Sequence, residues 1–175
     1  RSGSKMPWKD QKRGRGKKKM SMTEEDGEIR VQTTCAGIDW VQVRELLKAV
    51  EMGHHEPEIH QKAFTNSFAV VFLLQDDRLW GMGRAISDGV YQAGLYDIAV
   101  LPEFQRRGFG RLILEKLMER LFGMNVILYA NPGRSGFYEK FGFRTLRTGM
   151  IRFTNPDRMA ARGFIDRSEE RRVGK

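Results

Sequence analysis

The stretch Gln105–Gly110 constrains the fold of this chain more than any other. It reads Gln-Arg-Arg-Gly-Phe-Gly and lies between an apolar run, Leu95–Leu101, and an amphipathic pattern that starts near Gly108. The run is short, rich in β-branched and aromatic residues and closed by Pro102, which predicts a largely buried strand. Large apolar residues then recur at helical spacing as far as Phe122. The sequence therefore predicts a strand, a glycine-rich turn and a helix.

This arrangement predicts an anion site at the start of the helix. The first N–H groups of a helix have no partner inside it, and the helix dipole adds partial positive charge there. Gly108 and Gly110 have no Cβ, so an anion can approach the backbone closely. Arg106, Arg107 and Arg111 surround the glycines with positive charge. The expected ligand is a pyrophosphate, and the alternative is a helix N-terminus whose glycines serve tight packing.

Two other glycine-rich loops are excluded by their spacing. The P-loop requires Gly-x-x-x-x-Gly-Lys-Ser/Thr and the dinucleotide fingerprint requires Gly-x-Gly-x-x-Gly, and neither string occurs. The remaining pattern, Gln-x-x-Gly-x-Gly after a strand and Pro102, resembles motif A of the GNAT superfamily of acetyl-CoA-dependent N-acetyltransferases. A second predicted strand, Val126–Ala130, is followed by Asn131 and by Phe137–Phe143, which reads Phe-Tyr-x-x-x-Gly-Phe and resembles motif B. The two motifs stand in the family's order and at about its separation.

The resemblance covers about Ile29–Phe153 and implies a fold of the α/β (α+β) class. This GNAT fold has a mixed central sheet of about seven strands with flanking helices, and splayed strands at the coenzyme site. The resemblance also implies acetyl-CoA as cosubstrate. The strand before the loop would hold the pantetheine arm through the backbone of Ile98, Ala99 and Val100. The residues that would bind the pyrophosphate are Gln105, Arg106, Arg107, Gly108, Phe109, Gly110 and Arg111.

Motif B and the strand before the loop supply the candidate catalytic residues. Tyr138 matches the tyrosine whose hydroxyl the family directs at the coenzyme sulfur, so it is the expected general acid; the alternative is an amphipathic core tyrosine. Many members of the resembled family carry an acidic residue near the middle of the strand before the loop, and Asp97 is the only acidic residue between Val90 and Leu101. The resemblance therefore implies that Asp97 is the base, acting through water; the alternative is a buried carboxylate bound to backbone. Asn131 matches a position that contacts the coenzyme, and a turn residue is its alternative.

The expected acceptor is a small primary amine, such as an arylalkylamine, a polyamine or an aminoglycoside. Aromatic and acidic side chains suit such a cation, and Tyr91, Tyr96, Asp88 and Trp80 are the predicted substrate contacts. A protein lysine or a protein N-terminus is the alternative acceptor. The family often forms dimers, so a homodimer is a possible assembly.

The net charge of +9 belongs almost entirely to a tail. Residues 1–20 contain nine lysines and arginines and one aspartate, which leaves a net charge of only +1 for the rest of the chain. We expect residues 1–27 to be a disordered basic tail, partly vector-derived, followed by an acetyltransferase domain over 28–155 and a charged extension over 156–175. A nucleic-acid-binding protein that acts through this tail is a second alternative, although nucleic acid is not the expected partner.

Several classes of protein are not expected. No apolar run reaches the roughly 18 residues of a membrane span, so we expect no membrane contact and a cytoplasmic protein. Cys35 is the only cysteine, which excludes an internal disulfide. His54, His55 and His60 lack the spacing of a metal site, so no metal is expected.

The remaining periodicity predicts the other elements. Asp39 and Gln42 form a capping box for a helix that ends at Gly53, and turn residues separate alternating apolar runs. The predicted segments are a strand at Ile29–Thr34, a helix at Glu58–Phe64, a hairpin of Phe68–Leu74 with Leu79–Ile86, a strand at Val90–Leu101, and a final hairpin of Phe143–Arg147 with Met150–Phe153.

Overall fold

The computed structural model of the chain describes residues 28–166. These residues divide into two units, 28–128 and 129–166, so the division falls inside the domain predicted over 28–155. The tail predicted over 1–27 lies outside the described residues, and so do residues 167–175 of the predicted extension.

One mixed sheet forms the centre of the first unit. Its five strands lie side by side in chain order. The first four are antiparallel to their neighbours, whereas the fifth pairs parallel with the fourth. The strands are β1 (Arg30–Gln32), β2 (Ala69–Gln75), β3 (Arg78–Ser87), β4 (Gln92–Val100) and β5 (Asn125–Ile127).

Three helices accompany this sheet: α1 (Trp40–Ala49), α2 (Pro57–Thr65) and α3 (Phe109–Arg120). Asp39 is the N-cap of α1, as predicted, and its carboxylate accepts a hydrogen bond from the Val41 amide at 2.9 Å. Gln42, in the predicted capping-box position, donates to Asp39 Oδ2 at 3.3 Å and to Asp77 O at 2.9 Å, and it accepts from Leu79 N at 2.8 Å. Its side chain therefore joins α1 to the turn between β2 and β3.

Helices cover both faces of the sheet. Along β2, Val70, Phe72 and Leu74 pack with a cluster that includes Leu46 of α1 and Phe64 of α2. Side chains alternate along a strand, so the residues between them face the other side, where α3 packs. Burial on both faces explains why β2 reads as a continuous apolar run rather than an alternating one.

The second unit contains two short helices, α4 (Ser135–Glu139) and α5 (Pro156–Ala161). The predicted final hairpin is not formed, because residues 143–153 contain no strand. Leu146 and Met150 are 62% and 96% exposed, so this segment has no buried apolar face against which a hairpin could pack. Helix α5 lies inside the region predicted as a poorly patterned extension.

The α/β class is therefore confirmed, and the part of the chain that the structure describes forms five strands rather than the predicted seven or so. The predicted helices and the β2–β3 hairpin are present with bounds shifted by a few residues, and the strand predicted at Val126–Ala130 ends at Ile127. No helix within residues 28–166 is long and apolar enough to cross a bilayer.

Candidate active site

Strand β4 carries a bulge at Asp97. The register pairs Arg84 with Tyr96 and Met82 with Ala99, so one residue of β3 lies opposite two residues of β4. Asp97 has a φ of 54°, in the left-handed region that residues other than glycine rarely adopt. An extra residue of this kind bends a strand and re-aims the groups that follow it.

Beyond the bulge, one edge of β4 is open. The ladder with β5 covers only Gln92 to Gly94, so within the described residues the remainder of β4 has no strand on that side. Leu101 N donates to Trp80 O of β3 at 2.9 Å. Because backbone groups alternate sides along a strand, the amides of Val100 and Ile98 face the open edge. The splayed strands predicted at the coenzyme site are thus present, because β4 and β5 are paired only as far as Gly94.

The loop that follows β4 has the backbone of an anion site. Arg106 and Gly108 are both left-handed, with φ values of 62° and 100°, and such residues bring successive N–H groups to one concave side. Gly108 is the N-cap of α3, and among the described residues no side chain caps the start of this helix, so its first amides can bind a ligand. Gln105 Nε2 donates to Val100 O at 3.0 Å, which ties the loop to the open edge of β4. These groups fit a pyrophosphate.

Trp80, a predicted substrate contact, instead belongs to the core that supports this loop. Its side chain is only 2% exposed, and its ring stacks on Phe104 with ring centroids 3.5 Å apart. The Arg107 guanidinium lies 5.7 Å from the ring centroids of both Phe104 and Phe109. Burial of β3 on both faces explains the difference, since it leaves Trp80 no surface from which to contact an amine.

Asp97 is paired with an arginine that the sequence analysis did not select. Arg84 Nε donates to Asp97 Oδ2 at 2.5 Å, and the two side chains are 15% and 23% exposed. The same guanidinium lies 5.6 Å from the Phe64 ring centroid and 5.3 Å from that of Tyr96, and Arg84 Nη1 is 3.4 Å from Ser67 Oγ. An arginine inside a predicted buried strand was the available signal, because such a charge needs a partner.

The other predicted substrate contacts lie in two places: Tyr96 is in the middle of β4, whereas Asp88 and Tyr91 precede the first residue of that strand. Tyr96 is next to the ion pair of Asp97 and Arg84. Asp88 lies in the β3–β4 turn, where its carboxylate accepts bonds from the amides of Val90, Tyr91 and Gln92, and these bonds lower its pKa. Asp88 therefore stabilises the turn, while the Tyr91 side chain is exposed.

His60 is a buried polar residue that the sequence analysis assigned no definite role. It lies on α2, and its Nε2 accepts a hydrogen bond from His55 N at 2.9 Å. Burial lowers the pKa of His60, and the negative charge of Asp97 opposes that shift. Within residues 28–166, no three His, Cys, Asp or Glu side chains are grouped so as to hold a metal ion.

Tyr138 and Asn131 belong to the second unit. Tyr138 lies on α4, with its ring centroid 4.9 Å from that of Phe137 and 6.0 Å from that of Phe143. Burial raises the pKa of the Tyr138 hydroxyl, so it keeps its proton at neutral pH, as a general acid must. Asn131 O accepts a bond from Arg134 N at 3.0 Å, which gives Asn131 a turn role.

Comparison with known sequences decides the family. The profile described as "Acetyltransferase (GNAT) family" matches residues 40–143, more than half of the chain. The chain belongs to the GNAT acetyltransferase family. Members of this family use acetyl-CoA as cosubstrate.

Individual GNAT relatives agree with this assignment. The chain is 30% identical over 131 residues to GCN5-related N-acetyltransferase 1, chloroplastic, from Arabidopsis thaliana, covering 70% of this chain and 66% of that protein. It is 31% identical over 122 residues to serotonin N-acetyltransferase 2, chloroplastic, from Oryza sativa subsp. japonica, covering 65% and 60%. The chain thus spans less than two thirds of the length of these curated relatives.

Among solved structures, a probable acetyltransferase from Staphylococcus aureus superimposes with a TM-score of 0.65 at 29% identity, covering 73% of this chain and 99% of that one.

Proposed function

We propose that this protein transfers the acetyl group of acetyl-CoA to a primary amine. The observation that carries the proposal is a set of backbone features that follow one another along the chain: the open edge of β4, the left-handed loop and the start of α3, which no side chain of residues 28–166 caps. An edge of free amides suits an extended amide-containing arm, and the loop suits a pyrophosphate. Acetyl-CoA has both parts, and when bound it supplies the acetyl group as a thioester.

Each group of the chain has a proposed task. The amides of Ile98 and Val100 bind and orient the pantetheine arm, with Ala99 between them, and the loop residues 105–111 bind the pyrophosphate. Tyr138 holds a proton at its hydroxyl and donates it to the departing thiolate. Asp97 is the base that the sequence predicts, but its carboxylate already accepts a bond from the Arg84 guanidinium, which favours a role in shaping β4.

For the acceptor we propose a small amine with an aromatic ring. The rice relative is named a serotonin N-acetyltransferase, and the aromatic Tyr96 lies next to the bulge of β4. A protein amine is the second candidate, because a relative from Glycine max named histone acetyltransferase TAP1 is 36% identical over 72 residues. The plant relatives are named chloroplastic, and a cytoplasmic location stays a prediction for this chain.

Calorimetric titration with coenzyme A tests the binding site. Gly110→Trp fills the first turn of α3, so we expect it to abolish binding. Glu119→Trp adds the same bulk at an exposed position near the other end of α3 and should leave binding unchanged. Wild-type affinity in both variants would contradict the proposed site.

Release of free thiol then identifies the acceptor class. Acetyl-CoA is mixed with the protein and with arylalkylamines, polyamines, aminoglycosides or lysine peptides in turn. We expect the highest kcat/KM with an arylalkylamine. Turnover confined to lysine peptides would replace the small-molecule proposal with protein acetylation.

A further inference from the structure

The bulge of β4 decides which amides reach the coenzyme site. Leu101 bonds to β3, so Ala99 also faces β3 while Ile98 and Val100 face the open edge. Without the extra residue at Asp97, the register set by the pair Arg84–Tyr96 would bring Ile98 opposite Met82. The alternation would then be displaced by one residue, and different amides would face the edge.

The bulge also requires an unfavourable backbone conformation. A non-glycine residue in the left-handed region is held there only when its surroundings determine it. Asp97 is one of the four non-glycine residues with positive φ within residues 28–166, and the only one of them inside a strand. A specific contact must therefore hold it.

The ion pair with Arg84 is suited to be that contact. Arg84 comes from the neighbouring strand β3, directly beside the point where the register shifts. Its guanidinium has several neighbours that restrict it: it binds Asp97 Oδ2, lies over the rings of Phe64 and Tyr96, and approaches Ser67 Oγ. Both charged side chains are mostly buried, so solvent screens their interaction only weakly.

We propose that Arg84 is a positioning residue that holds Asp97 in its left-handed conformation and thereby directs the amides of Ile98 and Val100 to the open edge of β4. The proposal rests on the proposed function for its consequence, coenzyme binding. The state of the strand can be measured without any ligand. Asp97 acts in this scheme through its backbone and not as the base.

Amide hydrogen exchange of the unliganded protein tests the strand. Arg84→Met removes the ion pair, and we expect the Ala99 amide, which bonds to β3, to exchange about tenfold faster. Adding Asp97→Gly to that variant should restore slow exchange, since glycine adopts positive φ readily. The matched control is Arg78→Met, which breaks an exposed ion pair of the same strand with Glu103 and should leave Ala99 unchanged.

Coenzyme A affinity and turnover complete the test. Arg84→Met should raise the dissociation constant for coenzyme A about tenfold, and the double variant Arg84→Met with Asp97→Gly should return it to the wild-type value. Asp97→Asn keeps the acceptor for Arg84 and tolerates the left-handed region, so it should lower kcat only a few fold. Arg84→Lys keeps the positive charge, so its Ala99 exchange rate and its dissociation constant for coenzyme A should lie between those of Arg84→Met and the wild type.

Two results would overturn the inference. One is unchanged Ala99 exchange in a folded Arg84→Met protein. The other is a loss of kcat of about 100-fold or more in Asp97→Asn with coenzyme affinity intact, which would make Asp97 the base. If Arg84→Met does not fold, Arg84→Lys and Asp97→Asn carry the test. Failure of the wild-type protein to bind coenzyme A would contradict the proposed function, whereas the exchange data would still judge the strand.

Discussion

Among single residues, His60 has an ionisation that the fold opposes. Its ring is buried on α2, and a proton on Nε2 would remove the acceptor that the His55 amide uses. Burial, together with the positive charges that His54 and His55 can carry, lowers the pKa of His60, and the carboxylate of Asp97 raises it by less. The folded protein therefore binds this proton more weakly than the unfolded chain does.

The lowered pKa predicts a loss of stability in mild acid. Between the folded pKa of His60 and its unfolded value of about 6.5, only the unfolded chain binds the proton, so the free energy of unfolding falls as pH falls. The contribution of neutral His60 to the free energy of unfolding is fully present above pH ~6.5 and decreases as the pH falls below that value. Urea denaturation from pH 8 to pH 5 measures the effect.

His60→Gln is the matched control, because its amide oxygen can still accept from His55 and it does not titrate. We expect a shallower pH dependence in this variant. Equal slopes for His60→Gln and the wild type would show that other groups cause the acid sensitivity.

Tyr138 carries the second prediction at this scale. Tyr138→Phe removes only the hydroxyl, so we expect kcat to fall roughly 100-fold while the dissociation constant for coenzyme A stays the same. Thiol release and calorimetry measure the two quantities. Since burial raises the Tyr138 pKa, any decline of the wild-type rate that follows its ionisation should lie above pH ~10. An unchanged kcat would leave Tyr138 as a core residue.

Among the elements, helix α3 packs on β3 at a position that only glycine fits. A Cβ on Gly83 would lie 2.7 Å from Ile113 Cγ2 and 3.1 Å from Leu117 Cδ1, which is closer than packed carbon atoms approach. Gly83 is also the β3 residue that lies opposite the bulge of β4. The contact between β3 and α3 therefore supports the strand and the anion loop together.

Gly83→Ala should destabilise this contact. Overpacking of a core typically costs about 1–3 kcal/mol, and we expect a decrease of that size in the free energy of unfolding measured in urea. Gly53→Ala is the matched control, because a Cβ there has nothing within 4 Å and the residue has no positive φ. Equal stability of the two variants would mean that α3 moves freely to accommodate the methyl group.

At the scale of the whole molecule, charge is distributed very unevenly along the chain. Residues 1–20 carry +8 of the total +9. Any salt-sensitive affinity of the protein for duplex DNA should therefore be lost when residues 1–22 are removed, since each lost phosphate contact reduces the magnitude of the slope of log K against log salt by about 0.9. Coenzyme A affinity should not change. Retention of DNA affinity by the shortened protein would revive a nucleic-acid role for the remainder of the chain.

How well the sequence predicted the molecule differs between its parts. The helix capped by Asp39, the β2–β3 hairpin and the turn before α3 follow from local patterns, because caps, turns and periodicity are encoded within a few residues. The prediction of the final hairpin was wrong, because its arginine-containing segments alternate in polarity but apolar side chains such as Leu146 and Met150 stay exposed. Local patterning alone cannot tell whether another surface will cover a strand.

The site shows the same limit at individual residues. The anion loop was anticipated from its glycines, but its left-handed residues and the bulge at Asp97 were not. The bulge leaves no mark because β4 reads as an apolar run, and an extra residue does not disturb a pattern that has no alternation. Strand β3 is also buried on both faces, so the sequence did not show that Trp80 lies in the core and not at a substrate site. The pair Arg84–Asp97 spans two strands, and a single sequence contains no direct record of such contacts.

The short ladder between β4 and β5 has a consequence for how the protein is handled. A strand edge with unpaired amides can pair with a strand of another chain, so we expect the protein without coenzyme to be the form that self-associates. A ligand on that edge takes the place of a neighbouring strand, and its binding free energy then adds to the stability of the fold. For this molecule, coenzyme supplied during purification would act as a folding partner as well as a reactant.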